Sequence, residues 1–151
     1  MLLRSFLTVG SGYVLSLMSL YAILAILGYS FFPEFVEFLD LDKQTRETIM
    51  ETNPQTAVPA ALFWSTVVLN SFVCVMIGWM VIRTAPFAQF PHAVFLAVLL
   101  FINFLQIVIA DPKPKKSMTI VYMIAFPIAI LIGAKLAENR IRANDESQAT
   151  S

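Results

Sequence analysis

Charge is scarce in this chain. Asp, Glu, Lys and Arg make up 13% of 151 residues, ten acidic against ten basic, where soluble domains carry roughly 25%. Cysteine occurs once, at Cys74, which excludes an intramolecular disulfide and a cysteine-pair redox reaction and leaves a small packing residue. Histidine also occurs once, at His92, so one chain cannot supply the two axial imidazoles of a membrane b-type haem. No carboxylate lies inside the apolar stretches, and the ligand supply is too small for haem, flavin or a stoichiometric transition metal. No cofactor is expected. The chain has no phosphate-cradling glycine loop and no nucleophile elbow, so no enzyme is expected. It has no basic-aromatic patch suited to nucleic acid.

What is abundant is hydrocarbon: 58% of the residues are hydrophobic. All the charged residues fall outside four long stretches, 5–33, 52–82, 84–110 and 117–134, which place spans at approximately 6–32, 57–82, 91–110 and 117–136. A helix needs about 20 apolar residues to span the hydrocarbon core. Arg4 before an apolar run resembles the start of a signal peptide, but the run is far too long for an h-region and no small-x-small cleavage site follows it, so an uncleaved first span is expected. The connections RTAPFAQFPH and DPKPKKS are short and broken by proline, which makes successive helices antiparallel. The expected fold is all-α: residues 1–137 form four transmembrane helices in an antiparallel up-down bundle, with room for a short interfacial helix after the first span.

Between the first two spans, residues 34–56 hold six of the ten acidic residues. Pro33 suits a first helical position. Phe35, Phe38 and Leu39 are expected to rest on lipid headgroups while Glu34, Glu37 and Glu47 face water. Asp40, Asp42, Gln44 and Glu51 match positions 1, 3, 5 and 12 of a calcium loop. The required glycine is Thr45, however, and Glu47 replaces the hydrophobe, so no metal is expected there. Residues 138–151 have little to bury and are expected to be a disordered tail. Orientation is a tie by lysine and arginine count: Arg4, Arg83, Lys135, Arg140 and Arg142 oppose Lys43, Arg46, Lys113, Lys115 and Lys116. The flanks of the first span break it toward cytoplasmic termini, because Arg4 precedes that span and no cation follows before Lys43.

Inside the spans lie small and polar residues at helical spacing. Thr66, Asn70, Cys74 and Gly78 repeat every four residues in the second span, as do Ala125, Ala129, Gly133 and Ala137 in the fourth; Ser5, Thr8, Gly12, Ser16 and Ser19 form a looser face in the first. Lipid gives helices no hydrophobic reason to associate, so seams of this kind, which let backbones approach, are read as packing sites. In the third span Asn103 and Gln106 share a face. Depth counting places Asn70 level with Asn103 and Thr66 with Gln106, which predicts an Asn70–Asn103 hydrogen bond and a weaker Thr66–Gln106 contact joining spans two and three. Pro127 within the fourth span predicts a kink or an unpaired carbonyl.

Gly78 late in the second span, Pro91-His92-Ala93 opening the third, and Pro127 then Gly133 in the fourth resemble small, uncharacterised four-span bacterial inner-membrane proteins. The resemblance implies that fold and a bacterial inner membrane, and no activity. Gly78-Trp79 stands where a glycine pair is common in that group, and Lys116-Ser117 where Pro-Trp often opens the fourth span. The absence of intramembrane charge separates the chain from proton-coupled small multidrug transporters. The functional expectation is a non-enzymatic integral membrane protein, an accessory or self-associating module whose partners are the lipid bilayer and another membrane protein or copies of itself. A small transporter or channel assembled by oligomerisation is the alternative.

Overall fold

The computed structural model describes residues 2–52, 58–85, 89–110 and 116–149. These form six helices: α1 (Leu2–Phe31), α2 (Pro33–Asp40), α3 (Lys43–Thr52), α4 (Ala60–Thr84), α5 (Gln89–Ala110) and α6 (Lys116–Ala149). Four of them, α1, α4, α5 and α6, are long and apolar enough to cross a membrane. They run alternately up and down.

The ring order of the bundle is not the chain order. The α4 and α6 helices, which run parallel, pack most extensively; α5 lies against the other side of α6, and α1 lies against α4. The consecutive pair α4 and α5 touch only slightly, so they stand across the diagonal. Two glycines account for the tight α4–α6 pair. A Cβ on Gly78 would overlap the backbone carbonyl of Ile130, and one on Gly133 would overlap that of Val75. Each helix thus seats the other's backbone against its own glycine, and buried Ala129, Ala134 and Ala137 keep the rest of that α6 face low. Toward the other end of the bundle aromatic rings pack between the helices. Tyr122 stacks on Phe126 at 5.0 Å and packs on Phe63 at 5.3 Å, and Phe104 meets Phe126 edge-on at 5.8 Å.

Pro127 is buried within a continuous α6. Lacking an N–H, it removes the usual partner of the Met123 carbonyl. The expected disordered tail is corrected: α6 remains helical to Ala149. Once a span has nucleated a helix, each further residue is cheap to add, and Glu, Arg, Ala and Gln are good helix formers. Lys135 and Glu138 add an ion pair at 2.6 Å one turn apart. At 34 residues and 1.5 Å per residue the helix is roughly 51 Å long, about 20 Å more than the hydrocarbon core.

The segment after α1 holds two short helices, α2 and α3. Pro33 opens α2 as expected, but Phe35 and Phe38 are buried within the protein rather than spread on headgroups. The ring of Phe35 lies where a Cβ on Gly28 would sit, so α2 folds back onto α1. Glu34, Glu37 and Glu47 are exposed. Asp42 caps α3, accepting from the Thr45 amide at 2.9 Å and from its hydroxyl at 2.5 Å. The Thr45 hydroxyl chiefly holds the Asp42 carboxyl below its ordinary range, so the cap is fully formed above that range and is lost as pH falls through the lowered value.

Candidate functional site

The first span makes its own polar arrangements before it meets the others. Thr8 donates its hydroxyl to the Arg4 carbonyl, Ser11 to Thr8 and Ser16 to Gly12. Hydroxyls that bond back to the preceding turn need no water, so they are tolerated in hydrocarbon. Val9, Gly12, Ser16 and Leu20 are buried on one stripe of α1. Gly12 brings α1 close to two neighbours at once, since a Cβ there would lie 2.9 Å from Leu96 Cδ2 and 3.4 Å from Ile77 Cγ2.

Two side-chain bonds complete the attachment, and both begin on α1. The Tyr13 hydroxyl donates to the Asn103 side-chain oxygen at 3.0 Å. The Ser19 hydroxyl donates to the Asn70 side-chain oxygen at 2.6 Å, with the Ser16 carbonyl a longer alternative at 3.0 Å. The Asn70 amide nitrogen points along its own helix to Cys74 Sγ at 3.9 Å. Among the described residues, no buried side-chain nitrogen or oxygen lacks a partner.

These bonds correct the predicted amide pairing. Asn70 and Asn103 each lie fourteen residues from the ends of α4 and α5 that share a membrane face, roughly 21 Å by helical rise, so they are level. They do not bond to one another: α4 and α5 stand across the diagonal, and each asparagine turns to α1 instead. Thr66 is buried and donates to Leu62 O in its own helix, while Gln106 is exposed near the end of α5, so the expected Thr66–Gln106 contact is also absent. The remaining seam residues lie on α4 and α6: Cys74, Gly78, Ala129 and Gly133 are buried and Ala125 is half-buried. Tyr13 and Ser19 as cross-helix donors were missed. The single signal available was a polar side chain on α1 at the depth of each amide.

The Ser19–Asn70 bond should be modest in strength. In a double-mutant cycle with Ser19→Ala and Asn70→Ala, the coupling energy is expected near the ~0.6 kcal/mol average for bonds of this kind in a bilayer. Reversible unfolding in mixed micelles would measure it, and a coupling of zero would mean that the contact does not hold α1.

Beside the Tyr13–Asn103 bond, α1 and α5 part to leave an open groove of about 510 Å3, lined by Ser5, Phe6, Val9, Gly10, Tyr13, Pro91, His92, Phe95 and Leu99. Gly10 helps make this space, because a Cβ there would meet nothing within 4 Å. The groove opens at the membrane face where Arg83 lies over the Trp79 ring at 4.2 Å and Lys135 over Phe90 at 5.7 Å. The lysines at 113 and 115 lie outside the described residues, as does the side chain of Lys116. Among the described residues no cluster of His, Cys, Asp and Glu could hold a metal; Asp42, one residue of the calcium-loop pattern, is engaged in capping α3.

This arrangement defines a four-helix protein of membrane-spanning type. Comparison with protein-family models, with curated proteins and with solved structures finds no match.

Proposed function

We propose that the chain is a non-enzymatic membrane module that acts by association, with another membrane protein or with copies of itself. The observation supporting this reading is where the buried polar groups are spent. Asn70 and Asn103 hold α1 to the bundle, and the space around them is filled by apolar and aromatic side chains. A solute path would instead need polar groups turned toward a continuous opening. The first span has the most surface left for a neighbour: 17% of its apolar window is buried, against 39% for α4 and for α6.

Gentle solubilisation followed by quantitative mass spectrometry is expected to recover the protein with a fixed membrane partner or as a homo-oligomer, and reconstituted liposomes should show no solute flux above protein-free controls. A homo-oligomer that passes a solute would replace this reading with that of a small channel or transporter. A strict monomer with no companion would remove it.

The proposed setting is a bacterial inner membrane with both termini in the cytoplasm. Arg83 and Lys135 stand at one face with aromatic rings beneath them, Arg4 is at the same end of α1, and Arg140 and Arg142 follow on the extension of α6. Lysine and arginine favour the cytoplasmic side; the equal number in the two opposite connections leaves the flanks of the first span, with Arg4 before it and no cation after it until Lys43, to support this orientation. Cysteines introduced by Asp42→Cys and Ser147→Cys in a Cys74→Ser background should respond oppositely to an impermeant thiol reagent on intact cells, with the first labelled and the second protected. The reverse pattern would invert the topology.

A further inference from the structure

We propose that α1 is a strap that opens as a unit from a core formed by α4, α5 and α6, baring Asn70 and Asn103 while those three spans stay together. The strap and the core are joined by a different kind of contact from the one that joins the core helices. Gly78 and Gly133 seat α4 and α6 against each other's backbone carbonyls, and Phe63 of α4, Phe104 of α5 and Tyr122 and Phe126 of α6 form one aromatic cluster. Neither set includes a residue of α1. At the seat of α1, the atoms nearest a Cβ on Gly12 are all ends of side chains: Leu96 Cδ2, Ile77 Cγ2 and Val81 Cγ2. The apolar window of α1 is 17% buried, against 28% for α5 and 39% for α4 and α6. Lipid tails replace apolar contacts of that kind at little cost. What keeps α1 closed is therefore chiefly the pair of bonds from Tyr13 to Asn103 and from Ser19 to Asn70.

The hydrogen bonding of α1 also limits what opening loses. The Thr8, Ser11 and Ser16 hydroxyls are already bonded within α1, and Ser19 has the Ser16 carbonyl of its own helix at 3.0 Å as a second acceptor. Asn70 keeps its amide contact with Cys74 on α4. Only the Tyr13 hydroxyl, of these five donors on α1, leaves without a partner in its own helix. Beside its bond to Asn103 the two helices already part, around the groove of about 510 Å3. The α2 helix moves with the strap, because the Phe35 ring is seated on Gly28. Closed, α1 screens two level amides from other helices in the bilayer; open, it leaves them in a medium that offers no water to bond. The opening is a property of the chain alone and is tested separately from the associative reading.

The test follows two distances in the full-length protein as a denaturing detergent is titrated into mild micelles. Spin labels on Arg4→Cys and Thr84→Cys, in a Cys74→Ser background, measure α1 against α4; labels on Thr84→Cys and Arg140→Cys measure α4 against α6. All three positions are exposed. Pulsed electron paramagnetic resonance is expected to show the first distance lost at a lower detergent fraction than the second. Adding Tyr13→Phe and Ser19→Ala should raise the open fraction roughly eightfold at a fixed detergent fraction, with the two bonds taken at the bilayer average, and should leave the second transition in place. Tyr13→Phe alone should give about threefold, and it carries the test if the double change fails to fold. Gly133→Ala should move the second transition toward the first. The proposal is overturned if both distances are lost in one coincident transition before any bond is removed. It is equally overturned if removing the Tyr13 and Ser19 hydroxyls shifts both transitions together, because α1 would then be part of a single cooperative bundle.

Discussion

Gly133→Ala is expected to destabilise the bundle by about 2 kcal/mol, within the 1–3 kcal/mol usual for overpacking. The added methyl would overlap the Val75 carbonyl, a backbone group that cannot swing aside as the end of a side chain can. Relief therefore requires α4 and α6 to separate, and the contacts along their shared face weaken together. Gly78→Ala meets the Ile130 carbonyl and should behave similarly. The two sites lie on the same crossing, so the double variant should cost less than the two single costs combined, because the first methyl has already opened the space the second requires. Gly10→Ala is the control: nothing lies within 4 Å of its Cβ, and the change should be neutral or slightly stabilising through helix propensity. Unfolding of each variant by titration of a denaturing detergent into mild micelles would measure all four. A Gly133→Ala protein as stable as the wild type would show that the glycine seat does not set the packing of α4 on α6.

Four spans were legible in this sequence because a bilayer imposes a length and an apolar composition that charged residues interrupt. The depth of Asn70 and Asn103 was legible too, since helical rise and a shared face fix it. Their lateral partners were not. Short connections make α4 and α5 antiparallel, but they do not require the two to be the tightest neighbours. That choice rests with the closest available approach, and Gly78 and Gly133 give it to α4 and α6. Once α6 occupies that place, α5 is displaced to the diagonal and Asn70 faces Ser19. The continuation of α6 to Ala149 was hidden for another reason. A composition such as ENRIRANDESQA has little to bury, which suggests disorder in isolation, but here it inherits a nucleated helix from the span before it and Ile141 packs against the core. The groove left no mark in the sequence. It depends on Gly10 facing the gap between α1 and α5, and glycine spacing alone does not separate a seat such as Gly12 from an opening such as Gly10.

Phe126→Ala tests the aromatic cluster that joins α6 to α5. Phe126 is 1% exposed and contacts both Tyr122 and Phe104, so truncation removes the ring that fills the space between α5 and α6. In a water-soluble core such a change costs about 3–5 kcal/mol, part of it the lost transfer of a ring out of water. That part should largely vanish here, because lipid tails are as apolar as the protein interior and the unfolded reference stays in the bilayer. The cavity term remains. A residual void of roughly 100 Å3 at ~24 cal/mol per Å3 gives about 2 kcal/mol. Phe126→Leu, which keeps most of the volume, should cost less than half as much. Thermal or detergent-induced unfolding of the two variants would separate the terms. A Phe126→Ala loss at the full soluble-core value would mean that this cluster is opened to water when the bundle comes apart, whereas no loss would mean that neighbouring side chains collapse into the space and that the rings do not set the separation of α5 and α6.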